Sequence, residues 1–559
     1  MDYQSCSPSL RHFLWPRLYQ RLLTMGWKEK AHLRRQQQVD AIPVAWRLKE
    51  IPQGFKDSRP IIEGAGILTP RELDITNTVG ADKILRKIED RSWSSEEVAT
   101  AFCKRAALAE QLTRCCTEMM FESAIAQARE LDKYLERTGR LFGPLHGLPL
   151  SLKDTHEVKG YDTTVGWVGL IGKPAAQDNV AVQQYRGLGA VIYCKTNIPQ
   201  SLMMSDSYNH VFGQSVNSLN QTLISGGSSG GEGALIGAHG SVIGIGTDIG
   251  GSIRIPAVLQ GIWGLCPTIG RVPNRESGKP QKYVVPPVAG PMASSVSSIE
   301  LFMDAYLSSE PWNTDPQIYP VPWRRDLAQV IKRPLRIAYI VDDGVVLPQP
   351  PVQRAVREVV DKLKSCGHEV IAWDYSSHKG AYYDLWLPAV LADGGQKCAD
   401  LCTLEGEPLI QGMLVGTPDT ALDNTRRQEL AERIWEYQKD YLSRWQESAI
   451  DALIMPVTPW AGMKPKTWVQ SEQYCGYTSI WNLLNYTALA FPATTVSKRL
   501  DQPDPAWAEH QGRSFSDQFN HDQYDIDLVD GMPVGLQIVT GRFGEEKAVA
   551  VAKVIESLP

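Results

Sequence analysis

Apolar residues recur at helical spacing through residues 94–112, and the run opens on Ser94-Ser95-Glu96-Glu97. A serine followed three places on by a glutamate is a capping box, in which each side chain satisfies the other's unpaired backbone N–H. A helix is therefore expected there. Residues 122–137 and 178–188 carry the same period and predict two more. Leu148-Pro149-Leu150-Ser151-Leu152 reads as a strand entering a core, as do 190–194 and 335–341. A helix over 351–365 separates that last strand from another over 369–373. Such a strand–helix–strand unit implies parallel strands covered by helices, so the class is α/β. A strand over 533–540 and a helix over 544–556 follow. Residues 385–445 read as helix-rich and are expected to hold much of a substrate channel, because inserted segments near a site usually set specificity. Residues 498–530 are polar and aperiodic, which predicts a long surface loop.

Composition narrows the class. The chain has 559 residues, 43% hydrophobic and 21% charged, ordinary for a packed globular enzyme. No Pro/Ser-rich linker interrupts residues 80–495. A net charge of −6, with no basic cluster in the glycine-rich region, argues against a nucleic-acid partner. Lys28, Lys30, Arg34 and Arg35 form a small basic patch, expected to be a solvated helix face. No run reaches the length of about 18 apolar residues that a membrane span needs. Arg11, Arg17 and Arg21 break up the first 25 residues, so that stretch reads as a docking helix rather than a secretion leader. A cytoplasmic setting and reduced cysteines are then expected. Cys115-Cys116 and the Cys398/Cys402 pair match no metal spacing, so neither a metal nor a cofactor is expected.

The window 225–256 carries the chemistry. It sets Ser228, Ser229 and Ser252 among glycines, which let backbone approach a ligand closely. A dinucleotide fingerprint fails there because Ile249 stands at the third glycine position, and no Gly-Lys-Ser/Thr ends a phosphate loop. Gly226-Gly227-Ser228-Ser229-Gly230 fits G-x-S-x-G formally, but that elbow should follow a buried strand, and residues 217–222 read as loop. A flexible linker would not be interleaved with Ala-Leu-Ile and Val-Ile-Gly-Ile.

Gly-Gly-Ser-Ser-Gly-Gly at 226–231 and Gly-Thr-Asp-Ile-Gly-Gly-Ser-Ile-Arg at 246–254 resemble the amidase signature family. The upstream segment Gly143 to Asp154 supplies the lysine that this family uses. Ser228 lies 75 residues after Lys153, and Ser252 lies 24 after Ser228. The likeness continues through Phe212-Gly213-Gln214, Gly261–Leu265, Gly290-Pro291-Met292 and Pro533–Val539, so it runs from about residue 80 onward. The chain departs at Cys266, where many members have lysine, and at Ser218, where proline usually follows the asparagine.

The resemblance implies a large mixed central β-sheet covered by helices on both faces. It implies a domain over 81–559, with its core at about 140–300, its channel and C-terminal half at 301–559, and a helical extension over 1–80. It implies a Ser–cis-Ser–Lys triad: Ser252 as nucleophile, Ser228 as bridge and Lys153 as base. The backbone of Ile249, Gly250, Gly251 and Ser252 would form the oxyanion hole. Thr247, Asp248 and Arg254 would support that loop, and Met203 and Met204 would line the acyl pocket. The implied partner is a small-molecule amide, and the family allows a homodimer. Gly-Gly-Glu-Gly-Ala-Leu-Ile-Gly after the serines points to the acetamidase-like and fatty-acid-amide-hydrolase-like branch. An amidotransferase-type subunit and a catalytically silent scaffold are the other readings.

Chemistry is consistent with the assignment that the resemblance implies. A serine hydroxyl needs a base at neutral pH, and Ser-Lys pairs are known variants of the serine triad. A lysine accepts a proton only when neutral, which burial at a strand end favours. The bland alternative for Lys153 is an ion pair with Asp154. A rival triad would join Ser252 and Asp248 to His146, His210 or His239, none of which lies in a supporting motif.

Overall fold

The computed structural model describes residues 25–273 and 283–559. The docking helix expected within residues 1–24 lies outside them. Fifteen strands are formed among the described residues. They are β1 (Cys116–Met119), β2 (Pro149–Lys153), β3 (Val191–Thr196), β4 (Tyr208–Asn209), β5 (Gly213–Gln214), β6 (Val216–Asn217), β7 (Asn220–Ile224) and β8 (Ile243–Asp248). The rest are β9 (Trp263–Cys266), β10 (Val288–Ala293), β11 (Arg336–Tyr339), β12 (Glu369–Ala372), β13 (Ala452–Pro456), β14 (Ala488–Thr495) and β15 (Pro533–Val539).

Eleven of them make one sheet in the order β1-β3-β2-β8-β10-β9-β14-β15-β13-β11-β12. β2 runs parallel to both β3 and β8. β11 runs parallel to β12 and β13, with the helix Pro350–Ser365 crossing between β11 and β12 as the sequence predicts. The remaining neighbours are antiparallel, so the sheet is mixed. Every residue of β2, β3 and β8 is buried. Strands covered on both faces have no solvent side, so even the polar residues of these three are buried. The capping box at Ser94 is present, and its helix runs Ser95–Thr113.

Three expectations are corrected. The stretch 217–222 is not loop: β6 and β7 form a hairpin outside the main sheet. Residues 498–530 are not one long loop, for Pro505–Ala508, Phe515–Asp522 and Ile526–Val529 are helical. These helices are too short to display a hydrophobic period, and the side chains of Asp504, Ser514 and Asp525 cap them. The basic patch is not a solvated face. Lys30 pairs with Glu405 at 2.5 Å and Arg34 with Glu118 at 2.5 Å, both largely buried. Arg35 donates to the carbonyls of His210 and Val211, and only Lys28 of the four stays exposed. The partners lie far along the chain, beyond the reach of a local reading.

Candidate active site

Lys153 ends β2 and is fully buried. Its Nζ donates to Ser228 Oγ at 2.7 Å, to Thr247 Oγ1 at 2.8 Å and to the Thr247 carbonyl at 3.4 Å. The alternative pair with Asp154 is not formed. Asp154 instead meets Lys195 at 2.7 Å and accepts from Thr164 Oγ1 at 2.8 Å and Val165 N–H at 3.2 Å. Two lysines and one carboxylate thus sort themselves so that Lys153 faces hydroxyls.

The Gly227–Ser228 peptide is cis. A Cβ on Gly227 would stand 2.3 Å from the Asp206 carbonyl, so no larger residue fits this turn. Ser229 does more than bond its own turn. Its N–H donates to the Ser252 carbonyl at 3.1 Å, and its Oγ accepts from Thr247 N–H at 3.3 Å. It therefore ties the first serine loop to the second.

Asp248 holds that second loop. Its carboxylate accepts from Gly251 N–H at 2.7 Å, Ile253 N–H at 3.0 Å and Asn482 Nδ2 at 2.9 Å. Arg254 closes a two-pronged pair with it at 2.9 and 3.1 Å. Burial would push the Asp248 carboxyl up, but the Arg254 charge outweighs it and holds the group down to about 2. Arg254 donates further to Asn482, to Gln537 and to the Thr478 carbonyl. The Ile249 carbonyl accepts from Trp386 Nε1 at 3.0 Å, and the Gly250 carbonyl accepts from Thr478. Gly251 sits at φ +127°, where a side chain would also strike Thr478 at 2.5 Å.

Ser252 is partly exposed, and it opens on a cavity. Gly227, Ile249 and Gly250 line that cavity beside Ser252, and so do Met203 and Met204. Of the residues the sequence singled out, Ser252, Ile249, Gly250, Met203 and Met204 line this cavity, and Lys153 and Ser228 are joined by their hydrogen bond. The sequence reading missed Trp386, Leu414, Gln473 and Cys475, which line the same cavity. It also missed Thr478, Asn482 and the frame role of Gln537. Gln537 lies in a stretch that carries the resemblance, whereas the others carry no motif. The three histidines are engaged elsewhere. His146 Nδ1 accepts from Phe142 N–H at 2.9 Å, His210 meets the Pro408 carbonyl at 3.0 Å, and His239 meets Asn77 at 3.1 Å.

Among the described residues, Glu110, Cys115 and Cys116 bring one ligand atom each within 4.8 Å of one another. Their sequence spacing had not marked them. Burial pushes the Glu110 carboxyl up to about 8 and the Cys115 thiol up as well. No helix among the described residues is long and apolar enough to cross a membrane.

Asp248→Asn leaves Arg254 buried against a neutral amide and is expected to cost ~3–5 kcal/mol. Chemical denaturation at pH 7 measures it. The carboxyl is depressed on folding, so its contribution is intact above the unfolded value of about 4. It is lost as pH falls toward 2, and the gap between the two proteins should narrow over that window.

A solved fatty acid amide hydrolase matches this chain with a TM-score of 0.89 at 34% identity, over 96% of each. The fold is that of an amidase, a hydrolase of amide C–N bonds. The chain belongs to the amidase family, whose model, described as Amidase, matches residues 97–549. An acetamidase of Emericella nidulans is 36% identical over 96% of this chain and 99% of its own length. Amidase 1 of Gibberella moniliformis is 38% identical over 85% of this chain and 92% of its own.

Proposed function

We propose that the chain hydrolyses a carboxylic amide to the acid and ammonia or amine through a seryl acyl-enzyme. One observation carries the reading: a fully buried lysine donates to Ser228 at 2.7 Å, inside a loop tied by Ser229 to the loop of Ser252. Neutral Lys153 takes the Ser228 proton while Ser228 takes that of Ser252. The freed Ser252 oxygen bonds to the amide carbon. The carbonyl oxygen, now negative, rests against backbone N–H groups of residues 249–252. Collapse breaks the C–N bond, and the proton returns through Ser228 to the departing nitrogen. Water then repeats the relay against the ester and releases the acid. In this reading residues 81–559 form one catalytic domain, with residues 1–80 as an extension packed on it.

The acyl group is apolar. Met203, Met204, Ile255, Trp386 and Leu414 bound the cavity, a lining that suits an aliphatic or aryl group. The curated relatives named acetamidases agree with a short acyl chain.

The purified chain should release ammonia from a small primary amide without ATP or partner protein, and a chelator should leave the rate unchanged. Hydroxylamine should divert the acyl group to a hydroxamate, the mark of a covalent intermediate. Ammonia release with no hydroxamate and no covalent labelling by a fluorophosphonate would overturn the acyl-enzyme. Turnover only after addition of a partner and ATP would assign an amidotransferase subunit.

A further inference from the structure

Two buried acids at the site are matched to a cation, Asp154 to Lys195 and Asp248 to Arg254. Glu232 is held differently. It lies on the helix Gly230–Gly237, directly after the two serines, and is wholly buried. That helix packs on β2, β3 and β8. One carboxylate oxygen accepts from Ser151 Oγ and the other from Thr196 Oγ1 at 2.7 Å. Ser151 lies two residues before Lys153 in β2, and Thr196 is the β3 residue paired with Lys153. A Cβ on Gly244 would overlap the carboxylate, so β8 leaves a slot shaped for it. The acid is thus fixed by the strand that carries Lys153 and by the two strands that flank it.

We propose that Glu232 is a positioning residue and the counter-charge of Lys153. Clamped by Ser151 and Thr196, it sets the pH at which the lysine gives up its proton and stabilises the ammonium formed when the relay runs. The inference rests on Lys153 being the base. Electrostatics agree with the geometry. Burial pushes the Glu232 carboxyl up to about 7, while the two hydroxyl donors and the Lys153 charge pull it down. Lys153 is the cation whose charge acts on it. Tyr193 and Cys194 on β3 are pushed up by burial and stay neutral. Ser241 contributes a hydroxyl to Ser151 at 2.8 Å. Asp154 and Lys195 are committed to one another.

A negative neighbour favours the ammonium, so its removal should let Lys153 work at lower pH. Measured as kcat/KM on a small primary amide, the acid limb of Glu232→Gln should move down by about one pH unit, with a several-fold lower plateau. A role confined to packing would lower the plateau and leave the limb in place, and that result would overturn the proposal. Thr196→Val covers the case in which Glu232→Gln does not fold. Loss of one donor makes the carboxylate harder to ionise, so the limb should move the same way by less, while Thr196→Ser should match the parent. An unmoved limb in Thr196→Val would equally overturn it. Lys153→Ala separates the two readings: if it is dead and the Glu232→Gln limb is fixed, the base stands and the counter-charge falls. If it turns over, both fall.

Discussion

Ser252→Ala loses amide turnover by about a millionfold and keeps its fold. The magnitude is that of removing the nucleophile from a serine hydrolase, where the catalytic groups fail as a unit. The fold survives because the structure gives the Ser252 loop other anchors, with Asp248 accepting from both Gly251 and Ile253. A fluorophosphonate should label Ser252 in the parent and nothing in the variant, read by peptide mass analysis. Labelling at Ser228 or Ser229 would move the nucleophile to the first loop.

Lys153→Ala nearly abolishes turnover, whereas His146→Ala, His210→Ala and His239→Ala each retain most of it. The histidines are bound to Phe142, Pro408 and Asn77, away from the serine loops. In the parent, kcat/KM should rise into the alkaline range, because the relay starts from the neutral amine. A folded histidine variant without activity, beside an active Lys153→Ala, would establish the rival triad. Removing the lysine also leaves Thr247 Oγ1 and Ser228 Oγ short of a donor in a buried place, so circular dichroism should accompany the kinetics.

The elements legible in the sequence were those with a long period or a local signal. The helix Ser95–Thr113 announced itself by its capping box, and β2 by its apolar run. The serines and the lysine were legible because glycine density and spacing are local properties that a resemblance can match. Trp386, Leu414 and Cys475 were not. A tryptophan or leucine looks the same in a sequence whether it faces a core or a substrate, and these come from segments far from the serines along the chain. The burial of Lys30 and Arg34 was hidden for a related reason: a charge declares its partner only in three dimensions. Glu232 stood in plain view within the serine motif, yet its meaning needed β2 and β3 beside it.

Arg254 ties the reactive loop to Asn482 and to Gln537, and Gln537 belongs to β15, which lies between β14 and β13 inside the sheet. A chain that grows from its N-terminus presents Lys153, Ser228 and Ser252 before Asn482 and Gln537, the two amides that brace Arg254. The reactive loop is therefore braced from a distant part of the chain, and a chain cut before Asn482 carries the nucleophile with Asp248 but without that bracing.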